Sequence, residues 1–142
     1  MEAPVNFWEG KYYLLSNFSA HEVEYLGVRY KTAEHAYQVA KFQEATQRER
    51  IAQAPSAFLA REYGQELEGR AADFDKVGVM KAIMRAKLEQ HADVREALVE
   101  TGDMDILKNH PEDSYWGTGA TGDGQNVMGQ IWMELRAEVI AT

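Results

Sequence analysis

Hydrophobic residues recur at helical spacing in two long segments of the chain. In the first segment the apolar positions are Phe74, Val77, Met80, Met84 and Leu88. In the second they are Val127, Ile131, Leu135 and Val139. A spacing of three or four residues places each set on one face of a helix. The pattern predicts one helix from a cap at Asp73 to about His91, and a last helix from Gly124 to Ile140.

The segment before residue 31 lacks a helical period and predicts a β-hairpin. Residues 22–30 form two alternating stretches around Gly27, as expected for two short antiparallel strands. Thr32 is a good helix N-cap, and the helix after it is expected to run to about Thr46.

Shorter elements are expected between these segments. Helices are predicted over 47–53, from Pro55 to about Gly64, and over 93–100, and a short strand over 106–108. The sum is an α+β fold, in which a single helix-rich domain spans residues 1–142 and carries a small antiparallel sheet.

The composition is that of a globular protein with a sizeable core, since 45% of the 142 residues are hydrophobic and 27% are charged. The absence of cysteine excludes disulfides, thiolate nucleophiles and Cys-ligated metal. Because no apolar run approaches about 18 residues and no signal-peptide pattern is present, we expect a cytoplasmic protein with no membrane partner. The net charge of -8 disfavours non-specific binding of duplex DNA, but a local basic pocket for one or two phosphates remains compatible with it.

The helix predicted after Thr32 carries Glu34, Tyr37, Gln38 and Lys41 on one face. This face allows two interpretations, a solvated polar stripe or the wall of a binding site. Glu34 lies in the first helical turn, where the macrodipole favours an ionised carboxylate. Such a group suits a base or a cation stabiliser better than a proton donor.

Lys87 lies inside the apolar arc of its helix, between Met80 and Ile83. Its side chain can reach solvent by snorkelling, or it can supply an inward cation for a phosphate or a ring oxygen. The sequence leaves both interpretations open.

Metal-ligand spacing is absent among the four histidines, which are His21, His35, His91 and His110. The motif His-Glu-x-x-His is also absent. We therefore predict no catalytic metal.

Four glycines follow two aromatic residues near the end of the chain, at Gly117, Gly119, Gly122 and Gly124. Residues 117–122 match the dinucleotide-binding motif G-x-G-x-x-G, but the polar segment 109–114 precedes them and too few residues follow for a second parallel strand. We expect these glycines to let the backbone approach a ligand, and the free N–H groups of the last helix to hold an anion. Tyr115 and Trp116 would be buried or would stack on a partner.

Several short motifs occur in an order that resembles a known family. They are Leu15-Ser16-Asn17-Phe18, Thr32-Ala33-Glu34-His35-Ala36-Tyr37-Gln38, Lys41-Phe42, Met84-Arg85-Ala86-Lys87-Leu88, Thr101-Gly102-Asp103, Asp113-Ser114-Tyr115-Trp116-Gly117 and Gly122-Asp123-Gly124-Gln125-Asn126, with Gly129 and Arg136. Each motif alone is modestly specific, whereas the ordered set covers nearly the whole chain. On these motifs the chain resembles the NADAR family of YbiA-like N-glycosidases.

The resemblance implies hydrolysis of the N-glycosidic bond between a base-like amine and ribose, on a mostly helical α+β fold. The family's substrates are phosphorylated ribosylaminopyrimidine intermediates of riboflavin biosynthesis, and guanine that carries ADP-ribose, including guanine in DNA, where cleavage reverses the modification. We therefore expect a small nucleotide-like substrate, recognition of modified DNA only through an exposed or flipped adduct, and no cofactor. The alternative is a module that binds ADP-ribose or a related nucleotide without cleaving it.

The family's catalytic acidic positions fall on Glu34 and Asp113. We assign Glu34 to the sugar, and Asp113 either to water activation or to protonation of the leaving group. Lys41 either keeps Glu34 ionised or attacks the sugar as an amine. A tryptophan that is usual in the family is replaced by Phe74, which keeps a stacking ring but lacks the indole N–H.

The expected substrate contacts come from both halves of the sequence. They are Asn17, Phe18, His35, Phe74, Lys87, Tyr115, Trp116, Gly117, Gly119, Gly122, Gly124 and Asn126. Asn126 is also expected to cap the last helix, and the glycines to line the sugar-phosphate end of the site. We expect Glu34, Lys41, Lys87, Asp113 and residues 117–124 to converge on one pocket.

Overall fold

The computed structural model of the protein describes residues 4–66 and 68–141. Numbered in chain order, its elements are β1 (Val5–Asn6), a 3₁₀ helix (Gly10–Leu15), β2 (Val23–Tyr25), β3 (Val28–Tyr30), α1 (Ala33–Ala40), α2 (Ala45–Ala52), α3 (Ala57–Glu66), α4 (Lys76–Gln90), α5 (Ala92–Glu100), β4 (Ile106–Leu107) and α6 (Val127–Ala141). The helix-rich arrangement with short strands confirms the predicted α+β class. Within these ranges no helix has the length and apolar character that a membrane span requires.

The chain forms two compact units. The first contains residues 4–16 and 92–141, and the second contains residues 17–91. The expectation that residues 1–142 make a single domain stays a prediction.

The first unit is built around a pair of parallel strands and α6. Val5 of β1 lies opposite Ile106 of β4, so the strand predicted at 106–108 is confirmed. Its partner β1 has only two residues, which is too short for an alternating pattern to be recognised in the sequence. Trp132 of α6 is fully buried and donates its indole N–H to the Leu15 carbonyl at 2.9 Å, so α6 is fixed to the end of the 3₁₀ helix.

The second unit contains the predicted hairpin and four helices. Strands β2 and β3 pair antiparallel, with Val23 opposite Tyr30. Leu26 and Gly27 connect the strands with φ angles of 50° and 83°, as a tight two-residue hairpin turn requires. Helix α1 packs against α2, α3 and α4, and is therefore the central helix of this unit.

The end of α1 differs from the sequence prediction because tertiary contacts determine it. Helix α1 ends at Ala40 and not near Thr46, since Phe42 forms a β-bridge with Arg70 and the Lys41 carbonyl accepts the N–H of Ala71 at 2.9 Å. Pairing with a distant segment thus replaces the next helical turn.

Helix α4 has a different cap from the one predicted. Asp75, and not Asp73, is its N-cap, because the Asp75 carboxylate accepts the N–H of Gly78 at 3.1 Å. The sequence offers two aspartates near this helix start, and only the backbone conformation selects between them.

We predict that Thr32→Ala destabilises the protein by about 1–2 kcal/mol. Thr32 Oγ1 accepts the N–H of His35 at 3.2 Å and is hydrogen-bonded to His35 Nδ1 at 2.8 Å, and alanine removes both interactions. Urea unfolding at neutral pH measures the difference. Thr32→Ser keeps the hydroxyl and is the control, and a Thr32→Ala variant as stable as wild type would contradict the prediction.

Candidate functional site

Backbone contacts at the start of α1 fix the position of Glu34. The Glu34 N–H donates to the Asn17 carbonyl at 3.1 Å, and the Thr32 side chain caps the helix through the N–H of His35. Both contacts satisfy N–H groups that have no partner inside the helix. The Glu34 carboxylate therefore lies in a rigid first turn, where the helix macrodipole favours a negative charge.

The polar face of α1 is buried, so its interpretation as a solvated stripe is wrong. Glu34 is 7% exposed, Tyr37 5% and Gln38 3%. A buried carboxylate requires hydrogen-bond donors, and Gln38 Nε2 donates to Glu34 Oε2 at 2.9 Å. This burial is what the alternative interpretation, a wall of a binding site, would require.

Tyr37 brings together two other residues of the predicted site. Its ring lies 5.8 Å from the ring of Phe74, and Lys41 Nζ lies 5.0 Å from the centre of the Tyr37 ring. Phe74 is half-buried and also borders an apolar cavity of about 220 Å³, to which Tyr25 and Tyr30 contribute. The phenylalanine at this position thus keeps an aromatic surface that a flat ligand could contact.

Burial lowers the pKa of the Lys41 ammonium below its ordinary value. The negative charge of Glu34 acts in the opposite direction, and the positive charges of Arg70 and Lys76 add to the lowering. A lysine with a lowered pKa contains more free amine near neutral pH than an exposed one. Lys41 is therefore suited to accept a proton or to act as a nucleophile.

Asn17 and Phe18 lie on the segment that supports Glu34. Asn17 Nδ2 donates to Met80 Sδ at 3.1 Å, while its buried Oδ1 lacks a hydrogen-bond partner among residues 4–66 and 68–141. Phe18 is half-buried, with the Arg61 guanidinium 5.5 Å from the centre of its ring. The unsatisfied Asn17 oxygen is compatible with a hydrogen-bond donor on a ligand.

Lys87 is fully buried, so snorkelling to solvent is excluded. Its Nζ donates to Ser19 Oγ at 2.6 Å, and this contact connects α4 with the segment that contains Asn17 and Phe18. The observed role of Lys87 is to anchor this segment. Direct contact between Lys87 and a substrate stays a prediction.

His35 has a structural position. Its Nε2 lies 2.9 Å from the carbonyl oxygen of Ala54 and donates to it, and its Nδ1 bonds to the Thr32 hydroxyl. Burial lowers the pKa of His35, which agrees with a neutral ring that donates at Nε2 and accepts at Nδ1. Since both ring nitrogens have partners within the protein, a substrate contact through His35 lacks structural support.

In the first unit, Asp113 lies at the centre of a network of hydrogen bonds. Its Oδ1 accepts the N–H of Tyr115 at 3.2 Å and that of Trp116 at 2.9 Å, and its Oδ2 accepts from Lys108 Nζ at 3.2 Å. The sequence interpretation missed Lys108. Its signal was a lone cation at the end of a short apolar strand, five residues before the acidic position.

The pKa of Asp113 lies below its ordinary value. Burial alone would raise this pKa, but the charge of Lys108 and the N–H groups of Trp116 and Tyr115 outweigh the effect of burial. Asp113 is therefore a carboxylate at neutral pH, and this state suits activation of water better than protonation of a leaving group.

The glycines near Asp113 allow close backbone packing. A Cβ on Gly117 would lie 2.6 Å from the Lys108 carbonyl oxygen, and a Cβ on Gly124 would lie 2.7 Å from that of Gly117. Gly119 and Gly122 have φ angles of 73° and 82°, which L-residues rarely adopt. The sequence prediction assigned these glycines to a ligand, whereas two of them are required by neighbouring backbone.

The expectation that the start of α6 offers free N–H groups to an anion is wrong at Val127 and Met128. Val127 N–H donates to the Tyr115 carbonyl at 3.0 Å, and Met128 N–H donates to the Trp116 carbonyl at 3.1 Å. The two segments bond along their backbones, so these two donors are already used.

The side chain of Asn126 bonds to the strand segment rather than serving as the expected helix cap. Its Nδ2 donates to the Ile106 carbonyl at 3.0 Å, and its Oδ1 accepts the N–H of Lys108 at 2.9 Å. Asn126 has a φ of 51°, in the left-handed region that asparagine tolerates better than most residues. Its observed role is to join α6 to the residues around β4.

Tyr115 and Trp116 are both half-buried, and their rings contact each other edge to face with centres 4.9 Å apart. They therefore satisfy the expectation that large aromatic side chains at this position find a partner. Stacking of either ring on a substrate stays a prediction.

The predicted site residues fall into two groups. Glu34, Lys41 and Phe74 belong to the second unit, and Asp113 and the glycines at 117–124 belong to the first. Within the second unit, α1 brings Glu34, Gln38 and Lys41 onto one helix. The expectation that all these residues share one pocket stays a prediction.

We predict that Asp113→Asn destabilises the protein at pH 7 by about 1–3 kcal/mol, because a neutral amide attracts the Lys108 ammonium less strongly. The folded pKa of Asp113 lies below its ordinary value of 3.8, so the stabilisation is present above that value and is lost as the pH falls through the folded pKa. The difference from wild type should therefore shrink between pH 5 and pH 2.5. Urea unfolding across this range tests the sign, and a difference that does not depend on pH would contradict it.

We predict that Gly124→Ala destabilises the protein by about 2 kcal/mol or more, because the new Cβ would lie 2.7 Å from backbone atoms of Gly117 and Thr118. Gly122→Ala is the matched control. It has no atom within 4 Å of the added Cβ, and only the positive φ opposes it, at a cost of about 1 kcal/mol. Thermal unfolding compares the two variants, and equal melting temperatures would refute the packing explanation.

A family model and several relatives match this chain. The model of the NADAR domain matches residues 6–140. N-glycosidase YbiA of Escherichia coli is 34% identical over 127 residues, which cover 87% of this chain and 79% of the relative. An N-glycosidase of Nostoc punctiforme is 36% identical over 135 residues, which cover 90% of this chain and 86% of the relative. A riboflavin biosynthesis protein of Vibrio vulnificus is 32% identical over 98% of this chain, but the match covers only 39% of that larger protein.

The structure is also similar to a solved one. The NMR structure of the Escherichia coli protein YbiA has a TM-score of 0.88 and 32% sequence identity, with 98% of this chain and 86% of that chain covered. This likeness confirms the predicted YbiA-like fold, and the match of the family model confirms the resemblance drawn from the sequence motifs. The chain belongs to the NADAR family.

Proposed function

We propose that this protein is an N-glycosidase, a hydrolase that cleaves the bond between a base-like amine and ribose. The observation that carries the proposal is the buried Glu34 carboxylate, which is fixed in the first turn of α1 and accepts a hydrogen bond from Gln38. Relatives named N-glycosidases, at 34% and 36% identity, support the same reaction class.

The proposed substrate is a small nucleotide-like molecule. One candidate is a phosphorylated ribosylaminopyrimidine of riboflavin biosynthesis, and the name of the Vibrio vulnificus relative supports this candidate. The other candidate is guanine carrying ADP-ribose, either as a nucleoside or as an adduct in DNA. The net charge of -8 favours recognition of the modified base itself over non-specific binding to duplex DNA. A cytoplasmic location stays a prediction.

Glu34 is proposed to stabilise positive charge on the sugar. When the C–N bond breaks, its electron pair leaves with the base nitrogen, and the ribose C1 and ring oxygen become positively charged. A fixed carboxylate in a site with little water stabilises this charge more than it stabilises the neutral substrate. Water then supplies the hydroxyl that bonds to C1 and the proton that the base nitrogen gains.

Asp113 is proposed to activate the water. Its lowered pKa keeps it ionised, so it can accept a hydrogen bond or a proton from water but has no proton to give to the leaving group at neutral pH. Protonation of the base would then depend on another group or on the water itself.

Lys41 is proposed to support the same reaction in one of two ways. Its lowered pKa makes the free amine accessible, and the Glu34 charge acts on it from the same helix. As an amine, Lys41 can accept a proton, or it can bond to C1 as the base leaves with the C–N electron pair. In the second case, loss of a proton from the nitrogen and opening of the bond between C1 and the ring oxygen, which gains a proton, give a Schiff base that water hydrolyses to the free sugar and the lysine amine. Treatment with borohydride during turnover distinguishes the two, since only the Schiff base would be trapped on Lys41.

A turnover assay tests the proposed function. The purified protein would be incubated separately with a phosphorylated ribosylaminopyrimidine and with ADP-ribosyl-guanosine, and release of the base would be followed by liquid chromatography. Release of base from either compound supports the proposal and identifies the substrate group. Tight binding without release would support the alternative, a module that binds nucleotides without cleaving them.

We predict that Glu34→Gln lowers kcat by about 100-fold or more, since the amide keeps the shape of the side chain but removes the charge that the transition state needs. KM should change far less. Single-turnover kinetics measures the chemical step, and a melting curve serves as the folding control. A folded variant with turnover close to that of wild type would remove Glu34 from the mechanism.

A further inference from the structure

The amide of Gln38 lies between the Glu34 carboxylate and the bare Cα of Gly64. We propose that Gln38, seated against Gly64, is the positioning residue that fixes the orientation of the Glu34 carboxylate for catalysis. This inference rests on the proposed N-glycosidase function and adds two residues, neither of which contacts the substrate in the proposal.

Gln38 is in direct contact with the Glu34 carboxylate. Gln38 lies one helical turn after Glu34 on α1, and its Nε2 donates to Glu34 Oε2 at 2.9 Å. Both side chains are more than nine-tenths buried, so water does not compete for this bond. The bond occupies one carboxylate oxygen and restricts rotation of the group, which leaves Oε1 of Glu34 for the reacting sugar.

The oxygen of the same Gln38 amide is not hydrogen-bonded to any residue that the structure describes. This atom, Oε1, is also buried. An unsatisfied buried oxygen is unfavourable, and it is uncommon in folded proteins. Turning the amide around would not help, because its oxygen would then face the Glu34 carboxylate. The orientation of Gln38 therefore serves Glu34 rather than the amide's own hydrogen bonding.

Gly64 of α3 lies against the Gln38 amide. This glycine is buried in α3, where glycine is a poor helix former. A Cβ at this position would lie 2.2 Å from Gln38 Oε1 and 2.9 Å from its Cδ. The missing side chain thus creates the space that the amide occupies, and a side chain at this position would displace the amide that donates to Glu34.

Loss of the bond between Gln38 and Glu34 should disturb the orientation of the Glu34 carboxylate rather than the affinity of the protein for its substrate. A carboxylate that can rotate away from the sugar stabilises the transition state less, even when the substrate still binds. We expect Gln38→Met, which keeps the volume but removes the donor, to lower kcat by about 10-fold or more and to change KM by less than about 3-fold. The variant should still fold but with a lower melting temperature than wild type, because the buried Glu34 carboxylate loses its donor even though the unsatisfied Gln38 oxygen is removed.

The chain offers a matched control on α2. Gln53 Nε2 donates to Glu49 Oε1 at 3.1 Å, with the same spacing of four residues but at an exposed position. Gln53→Ala removes a Gln–Glu bond of the same kind outside the proposed site. It should leave kcat and KM unchanged.

A double-mutant experiment tests the role of Gly64. Gly64→Ala alone should lower kcat, because the new methyl group displaces the Gln38 amide. In a Gln38→Ala background the methyl group has space, so Gly64→Ala should cause no further loss of kcat. Losses that multiply in the double variant would overturn the proposed coupling.

The kinetic results for wild type and the variants distinguish failure of the role proposed for Gln38 from failure of the proposed N-glycosidase function. If wild type and Gln53→Ala release the base but folded Gln38→Met has a kcat within about twofold of theirs, the inference fails and the proposed function stands. If both Gln38 variants fail to fold, the role of Gln38 is structural and the inference also fails. If wild type releases base from neither substrate, the proposed function fails and the inference fails with it.

Discussion

A carboxylate kept inside the protein on helix α1 is the constraint that organises the second unit. Removing Glu34 from water is unfavourable unless hydrogen-bond donors compensate, and Gln38 supplies one. The Thr32 cap and the Asn17 carbonyl fix the first turn, and Gln38 donates to the carboxylate itself. Lys87 anchors Ser19 on the adjoining segment from a buried position of α4. The fold thus stabilises a polar face in its interior, as the proposed role of Glu34 requires.

In the first unit the corresponding constraint is the close approach of two backbone segments. The carbonyls of Tyr115, Trp116 and Gly117 accept the N–H groups that would otherwise begin α6 without partners. Asp113 binds the N–H groups of Tyr115 and Trp116, so the same turn that holds the segment also orients the acidic side chain. Glycine is required at Gly117 and Gly124, where these backbones touch, so close packing accounts for part of the glycine-rich motif.

The pKa values of Lys41 in the second unit and Asp113 in the first unit are both lowered, but by different physical causes. Burial dominates at Lys41 and lowers its pKa, whereas at Asp113 the Lys108 charge and two backbone N–H groups overcome burial and lower the pKa of a carboxyl. One group is thereby biased toward a neutral amine and the other toward an anion.

The sequence by itself determined the class of elements, the hairpin, the Thr32 cap and the ordered motifs that identify the family, because these depend on local periodicity, capping and residue type. It could not decide whether the face with Glu34 and Gln38 is solvated, since a polar stripe is the same in the sequence whether or not other helices cover it. It also could not separate glycines that hold a ligand from glycines that admit neighbouring backbone. The end of α1 and the occupied N–H groups of α6 were decided by tertiary structure, because in each case another segment of the chain bonds to the same backbone groups. Lys108 is only five residues from Asp113, but the sequence did not show that the chain turns so as to bring the two charges together.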